Sequence, residues 1–279
     1  AQPAFEDALI SIYREECQRA AFEQASMQTL FNPFETAKQR NARIPVATSL
    51  IPGREEIQRV AIQSWLAAGF HLVSVNALDD IAALSPLFPD VEFIAAPRDA
   101  RRQYGRPFIY FDDILSYFRH RPVPICGIIS PDLYLFDSRL PDFIRKEAPH
   151  SFLYGSRVDV ESPSATQGQV YNTGFDYFFF AREAIAHYPE QEFCLELPWW
   201  DYWTVIAPLM RKMPMKQITT PVAVHVKHPH AGSAENWFSL GKALSENLKP
   251  PFELTWETMP RFADETLSII NKLSEQVSL

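Results

Sequence analysis

The chain has 279 residues, and its hydrophobic content of 47% is ample for a globular core in one large domain or two small ones. Its 26 basic and 34 acidic residues leave a net charge of -8, which argues against the basic surface that nonspecific nucleic-acid binding needs but leaves room for local arginines to hold an anionic substrate. No apolar run approaches the ~20 residues of a membrane span, none reads as a signal peptide, and Cys17, Cys126 and Cys194 lack metal-ligand or disulfide-framework spacing, so they read as buried thiols of a reducing compartment.

Phe5, Leu9, Ile12, Tyr13 and Cys17 recur at helical spacing among acids and predict an amphipathic N-terminal helix. Lys38–Arg43 reads as a connector. From Ile44 the pattern becomes an alternation. Ile44–Leu50 is a short strand, and Pro52-Gly53 turns the chain into a helix over Arg54–Ala68 that Gly69 ends. Strands over Phe70–Val75 and Val91–Ala95 flank a short helix at Asp79–Leu84. Asp112 or Asp113 caps a helix through Phe118. Pro124–Ile129 is the fourth strand. Strand and helix at these intervals predict right-handed crossovers and a mainly parallel sheet with helices on both faces.

Beyond Asp132 the expected order is a helix at Ser138–Lys146, strands at Phe152–Val160 and Phe175–Phe180 separated by a polar loop at Ser162–Gln169, and a short helix at Arg182–His187. A helix at Asp201–Lys212, a strand at Val222–Val226, a helix at Ala234–Leu248 and a final amphipathic helix at Phe262–Gln276 follow. Pro 23 against Gly 9 predicts proline-bounded loops. The fold class is α/β, a single domain with a core over 44–250, an N-terminal helical extension over 1–43 and a C-terminal helix over 251–279.

In an open parallel sheet, ligands bind beyond the carboxyl ends of the strands, so the residues there carry the chemistry. The first strand runs into Thr48-Ser49-Leu50-Ile51-Pro52-Gly53-Arg54, where backbone N–H groups at a helix start can cup a phosphate. Asn76 ends the second strand. There is no GxGxxG and no P-loop lysine pattern. Arg98, Arg101, Arg102 and Arg106 form one basic cluster, either a phosphate clamp or a solvated loop balanced by Asp99. Ile125–Ile129 delivers Asp132 through Ser130-Pro131; its carboxylate can hold a divalent cation beside a diphosphate or simply make a turn. Asp176 follows Gly174, which lets the backbone approach a ligand closely. Pro198-Trp199-Trp200-Asp201-Tyr202-Trp203 sets an acid among rings that stack on sugar faces or fill a core. Burial there would raise the Asp201 pKa toward that of a general base. His225, His228 and His230 lie near a late strand end. Strand alternation argues against all three sharing a metal, leaving one of them to join Asp132.

Together these segments, over roughly Ile44 to Leu248, resemble a GT-A-type glycosyltransferase, in which a Rossmann-like half binds a sugar nucleotide. The resemblance implies that Thr48 and Ser49 line the base and ribose pocket, with Arg54, Asn76, Arg98 and Arg101 on the donor side. It puts Ser130-Pro131-Asp132 where an Asp-x-Asp motif belongs, with Ser130 replacing its first acid, and His225 where a late metal ligand stands. Asp132 and His225 would hold Mn²⁺ or Mg²⁺. Asp201, with Asp176 as second choice, would be the base of an inverting transfer. Trp199, Trp200 and Asp176 would face the acceptor, a glycan or glycoconjugate hydroxyl. The implied location is cytoplasmic or peripheral to a membrane, with association through the terminal helices. Two other readings stand beside it: a non-catalytic glycan-binding or assembly module of this fold, and a sugar nucleotidyltransferase. The latter would need a glycine-rich loop where Leu50-Ile51-Pro52-Gly53-Arg54 stands.

Overall fold

Runs of β-branched and aromatic residues form the sheet that the alternation predicts. In the computed structural model, which describes residues 43–162, 165, 167–228, 233–248 and 253–279, they become β1 (Pro45–Thr48), β2 (His71–Asn76), β3 (Glu92–Ala95) and β4 (Ile125–Ile129). The expected helix over 5–17, Cys17 and His230 lie outside the described residues. Helices α1 (Glu55–Ala67), α2 (Leu78–Leu84), α3 (Arg101–Tyr104) and α4 (Phe111–Arg119) connect these strands. β1 pairs in parallel with β2 and β4, and β2 with β3.

The second half adds β5 (Leu133–Leu135), α5 (Leu140–Glu147), β6 (Phe152–Gly155), β7 (Val158–Val160), β8 (Gly168–Val170), β9 (Tyr177–Ala181) and a 3₁₀ helix (Arg182–His187). After these come α6 (Trp200–Met210), β10 (Met215–Ile218), β11 (Ala223–Val226), α7 (Ala234–Asn247), α8 (Met259–Leu273) and β12 (Glu275–Val277). The main sheet has the order β12-β10-β6-β9-β4-β1-β2-β3 and is parallel except where β9 runs against β4 and β6. Every residue of β4 and β9 is buried, as expected of strands covered on both faces. Gly155 ends β6 where the Tyr177 ring crosses it; an added Cβ would lie 2.0 Å from the Tyr177 hydroxyl oxygen.

Four sequence expectations are corrected. Phe152–Val160 is not one strand: it breaks at Ser156-Arg157, and its halves join different sheets. β8 lies partly within the stretch expected to be a loop. Neither Asp112 nor Asp113 caps α4: Tyr110 holds the cap position, and both acids sit inside the first turn. The last helix ends at Leu273, because the chain then extends along β10 as an edge strand.

The small sheet, β5-β11-β7-β8, positions the site. β11 lies between β5 and β7, with His225 opposite both Leu133 and Asp159. Helix α1 fixes β5 from behind. The Trp65 indole N–H donates to the Leu133 carbonyl at 2.7 Å, and the Leu135 N–H donates to the Ser64 hydroxyl at 3.0 Å. The loop that carries Asp132 is thereby held between a helix and a strand pair.

Candidate functional site

Asp132, His225 and His228 meet at the end of the small sheet. Nε2 of His228 lies 2.7 Å from Oδ2 of Asp132, Nε2 of His225 lies 3.6 Å from the same oxygen, and the two Nε2 atoms are 3.1 Å apart. Bonds of about 2.0–2.2 Å to a first-row divalent metal place neighbouring ligand atoms about 3 Å apart. The residues therefore fit a cation in spacing and in donor type, two imidazoles and a carboxylate. Burial opposes charge on Asp132, but hydrogen bonds and charge from the two histidines hold its carboxyl well below the usual range. Burial likewise opposes charge on His225, and the Asp132 and Asp159 carboxylates override it, pushing the imidazolium up to about 9. His225 Nδ1 lies 2.9 Å from Asp159 Oδ1, a contact that fixes the orientation of the ring. The Arg54 Nη1 atom lies 2.9 Å from His228 Nε2 and 3.9 Å from Asp132, bringing the start of α1 to the cluster.

A second layer supports this one. The Arg157 guanidinium donates to Asp159 at 2.7 Å and also to Asp176, and it lies 4.2 Å from the centroid of the Tyr171 ring. Asp176 is buried, and burial pushes its carboxyl up to about 6 against the pull of Arg157. Arg157 and Asp159 were not singled out in the sequence. Their i, i+2 spacing, which puts both side chains on one face of an extended chain, is the signal that could have found them. Two of the late histidines, not the expected one, join Asp132: His228 reaches the cluster beside His225 because the chain leaves β11 just before it.

The acids share one cavity of about 610 Å³, lined by Asp132, Asp176, Glu196, Asp201, His225 and His228 together with Trp199 and Trp200. Asp201 Oδ2 accepts the Phe175 N–H at 3.0 Å. Burial pushes its carboxyl up to about 7 despite that hydrogen bond, with the Asp176 charge adding to the rise. Gly174 is required beside it: a Cβ there would lie 2.7 Å from Asp201 Oδ2 and 2.8 Å from the Tyr171 ring. Glu196 has φ 67 and a buried carboxylate oxygen with no partner among the described residues. Burial and then the Asp132 and Asp176 charges push it up to about 8. Nothing in Leu195-Glu196-Leu197 marks it in sequence; its importance comes from the left-handed backbone.

Trp199, also at positive φ, donates its indole N–H to the Trp237 carbonyl at 2.7 Å, and Trp200 packs against Phe111 and Phe178. Both line the cavity while being mostly core. Thr48, Ser49 and Asn76 are buried at the ends of β1 and β2. The Asn76 amide donates to the Leu50 carbonyl at 2.7 Å and to the Ser49 hydroxyl at 3.3 Å, a brace that shapes the loop leading to Arg54. Arg98 lies 4.1 Å from the Tyr110 ring centroid and 3.6 Å from Asp113, and Arg101 pairs with exposed Asp79 at 2.7 Å. Neither arginine lines the cavity.

No family model and no curated protein matches the sequence. Among solved structures, S. aureus TarS residues 1-349 in complex with UDP-GlcNAc aligns with a TM-score of 0.54 at 12% identity, over 83% of this chain and 73% of that one. The same protein in complex with UDP gives 0.50 at 12% identity, over 81% and 70%. HddC from Yersinia pseudotuberculosis, at a TM-score of 0.37 and 10% identity over 66% and 89%, is too distant to bear on the fold. The likeness is one of architecture: the chain has the α/β, mostly parallel, GT-A-type fold that the sequence resembles. Among the described residues no helix is long and apolar enough to cross a membrane.

Proposed function

We propose that the protein is a glycosyltransferase that moves a sugar from a nucleotide-sugar donor to a hydroxyl of a glycan or glycoconjugate, with inversion. The observation that carries this reading is the convergence of five carboxyl groups (Asp132, Asp176, Glu196, Asp201 and Asp264) and two imidazoles on one cavity of a GT-A-type fold. Asp132, His225 and His228 would hold a divalent cation, which when bound neutralises the leaving diphosphate. The two imidazoles favour Mn²⁺ over Mg²⁺, which prefers oxygen ligands and water. Arg54 stands against the cation ligands, where a guanidinium can add donors to the diphosphate. Thr48, Ser49 and Asn76 are assigned to the nucleotide side.

Asp201 is assigned as the base that takes the proton from the acceptor hydroxyl. Its carboxyl titrates near neutrality, where a base is both available and strong enough to act. Asp176 is less suited, because Arg157 already holds it. Its role in this reading is to keep the Arg157–Asp159–His225 chain in place.

The test is a screen of UDP-, GDP-, CMP- and dTDP-sugars for donor hydrolysis and thermal shift, each with Mn²⁺, with Mg²⁺ and with chelator. Hydrolysis and a shift with one nucleotide, both lost in chelator, are expected. A complete lack of binding and turnover would replace the transferase by a glycan-binding module of the same fold.

A further inference from the structure

Beside the acid-lined cavity lies a second cavity of about 210 Å³. The two share Arg157, Tyr171, Phe175 and Leu267 as a common wall. Tyr171 is fixed in that wall, with its N–H donating to the Arg157 carbonyl at 2.9 Å and its ring held against the Arg157 guanidinium. The second cavity has about seven water volumes, and at that size it is too small to hold a nucleotide and is of the order of one sugar ring.

Its chemistry differs from that of its neighbour. Apart from Arg157, whose guanidinium is already occupied by Asp159 and Asp176, no charged side chain lines it. The polar groups are hydroxyls and amides, from Ser156, Asn172, Gln217, Thr219, Thr220 and Asn271. Several are fixed by internal hydrogen bonds. The Ser156 hydroxyl donates to the Gly174 carbonyl at 2.8 Å, the Gln276 side-chain amide donates to Gln217 Oε1 at 2.7 Å, and the Leu279 N–H donates to the Thr220 hydroxyl at 3.0 Å. A hydroxyl oxygen or amide anchored at one end keeps further lone pairs or protons for a ligand. Val158, Val170 and Pro221 supply apolar surface between them. Neutral hydrogen-bonding groups interleaved with apolar surface and two aromatic rings, Tyr171 and Phe175, suit an uncharged polyol, which offers hydroxyls at its rim and C–H groups on its faces. They do not suit a phosphate or carboxylate, which would call for free cations.

We propose that this second cavity is a subsite for an uncharged sugar residue of the acceptor, one unit removed from the hydroxyl that reacts. It rests on the transferase reading and narrows its substrate to a neutral oligosaccharide or the neutral end of a glycoconjugate.

The test compares acceptors of different length. The donor found in the nucleotide-sugar screen is offered with methyl glycosides of glucose, galactose and mannose, and with the matching neutral di- and trisaccharides. For at least one series kcat/KM is expected to be tenfold or more higher for the oligosaccharide. Asn271→Trp, on the exposed side of α8, fills the subsite and is expected to collapse that ratio by tenfold. The ratio is the readout, so a general loss of active protein cancels from it. Thr220→Val tests the same wall with a smaller change and is expected to lower the ratio in the same direction. Equal rates for short and long acceptors, a ratio unmoved by both variants, or a preference for oligosaccharides carrying phosphate or carboxylate at the second unit would overturn the proposal. If no nucleotide sugar is turned over, the transferase reading fails by itself. The subsite is then read by saturation-transfer NMR with the same trisaccharides: binding lost in Asn271→Trp supports it, and no binding by the unaltered protein refutes it.

Discussion

In the transferase reading, Asp201 sets stability against chemistry at a single residue. Its carboxyl is pushed from an ordinary 3.8 to about 7, so between those values the folded chain holds a proton that the unfolded chain has released. Stability must then fall as pH rises through that window, since the folded state is the one with more protons bound. Asp201→Asn keeps an oxygen for the Phe175 N–H and carries no charge. It is expected to raise the melting temperature at pH 8 by about 2–4 °C for each kcal/mol recovered, an advantage that shrinks toward pH 4. The same change is expected to cost about 100- to 10,000-fold in kcat, the range of a general base, while donor binding stays. A variant that lost donor affinity and turnover equally would reassign Asp201 as structural. Transfer by the unaltered protein is expected to rise with pH through about 7 as the carboxylate forms; a flat profile would remove the base assignment. At this scale the sequence was informative where an acid stood out against apolar neighbours, as with Asp132, Asp176 and Asp201. It was silent at Glu196, whose distinguishing feature is a backbone angle.

Elements explain why those residues meet. The alternation from β1 to β4 was legible because α1, α2 and α4 have apolar faces and the strands apolar runs bounded by turn residues; α3, with no buried residue, was not legible. β5, β8, β10 and β12 were not, being three or four residues long and defined by partners rather than by pattern. Two of the four strands in the small sheet that assembles the histidine and aspartate cluster, β5 and β8, are of this kind, so the cluster was only partly legible. Two element-level predictions follow from contacts. Gly174→Ala would press a methyl group on Asp201 and Tyr171, displacing the carboxylate from the Phe175 N–H. A displacement of this order costs about 100-fold in rate, and a circular dichroism spectrum unchanged from the parent should accompany it. Trp65→Phe leaves the Leu133 carbonyl without its indole donor. Urea unfolding should show a loss of about 1–3 kcal/mol. No loss would mean that α1 does not hold the Asp132 loop through this bond.

For the whole molecule, the fold class was the most secure reading, because it depends on the spacing of many elements and not on any one. The cluster of Asp132, His225 and His228 gives a global observable. If Asp132, His225 and His228 bind Mn²⁺ only when folded, 100 times the dissociation constant adds about 2.7 kcal/mol to stability. That is a rise of about 5–10 °C in melting temperature at this size, reversed by chelator and absent in Asp132→Ala. A rise that persists in the variant would place the metal elsewhere.

The order of strands in the main sheet also sets a timetable for synthesis. β6 is made some sixty residues before β10, the strand that finally covers its outer edge. A chain still emerging from the ribosome therefore carries β9 on one side of β6 and a bare row of N–H and C=O groups on the other. β11, which brings His225 to Asp132, is later still. A cation held by Asp132, His225 and His228 could not bind before β11 and the residues just after it are made, and until β10 arrives the edge of β6 is a part in need of shielding from other chains.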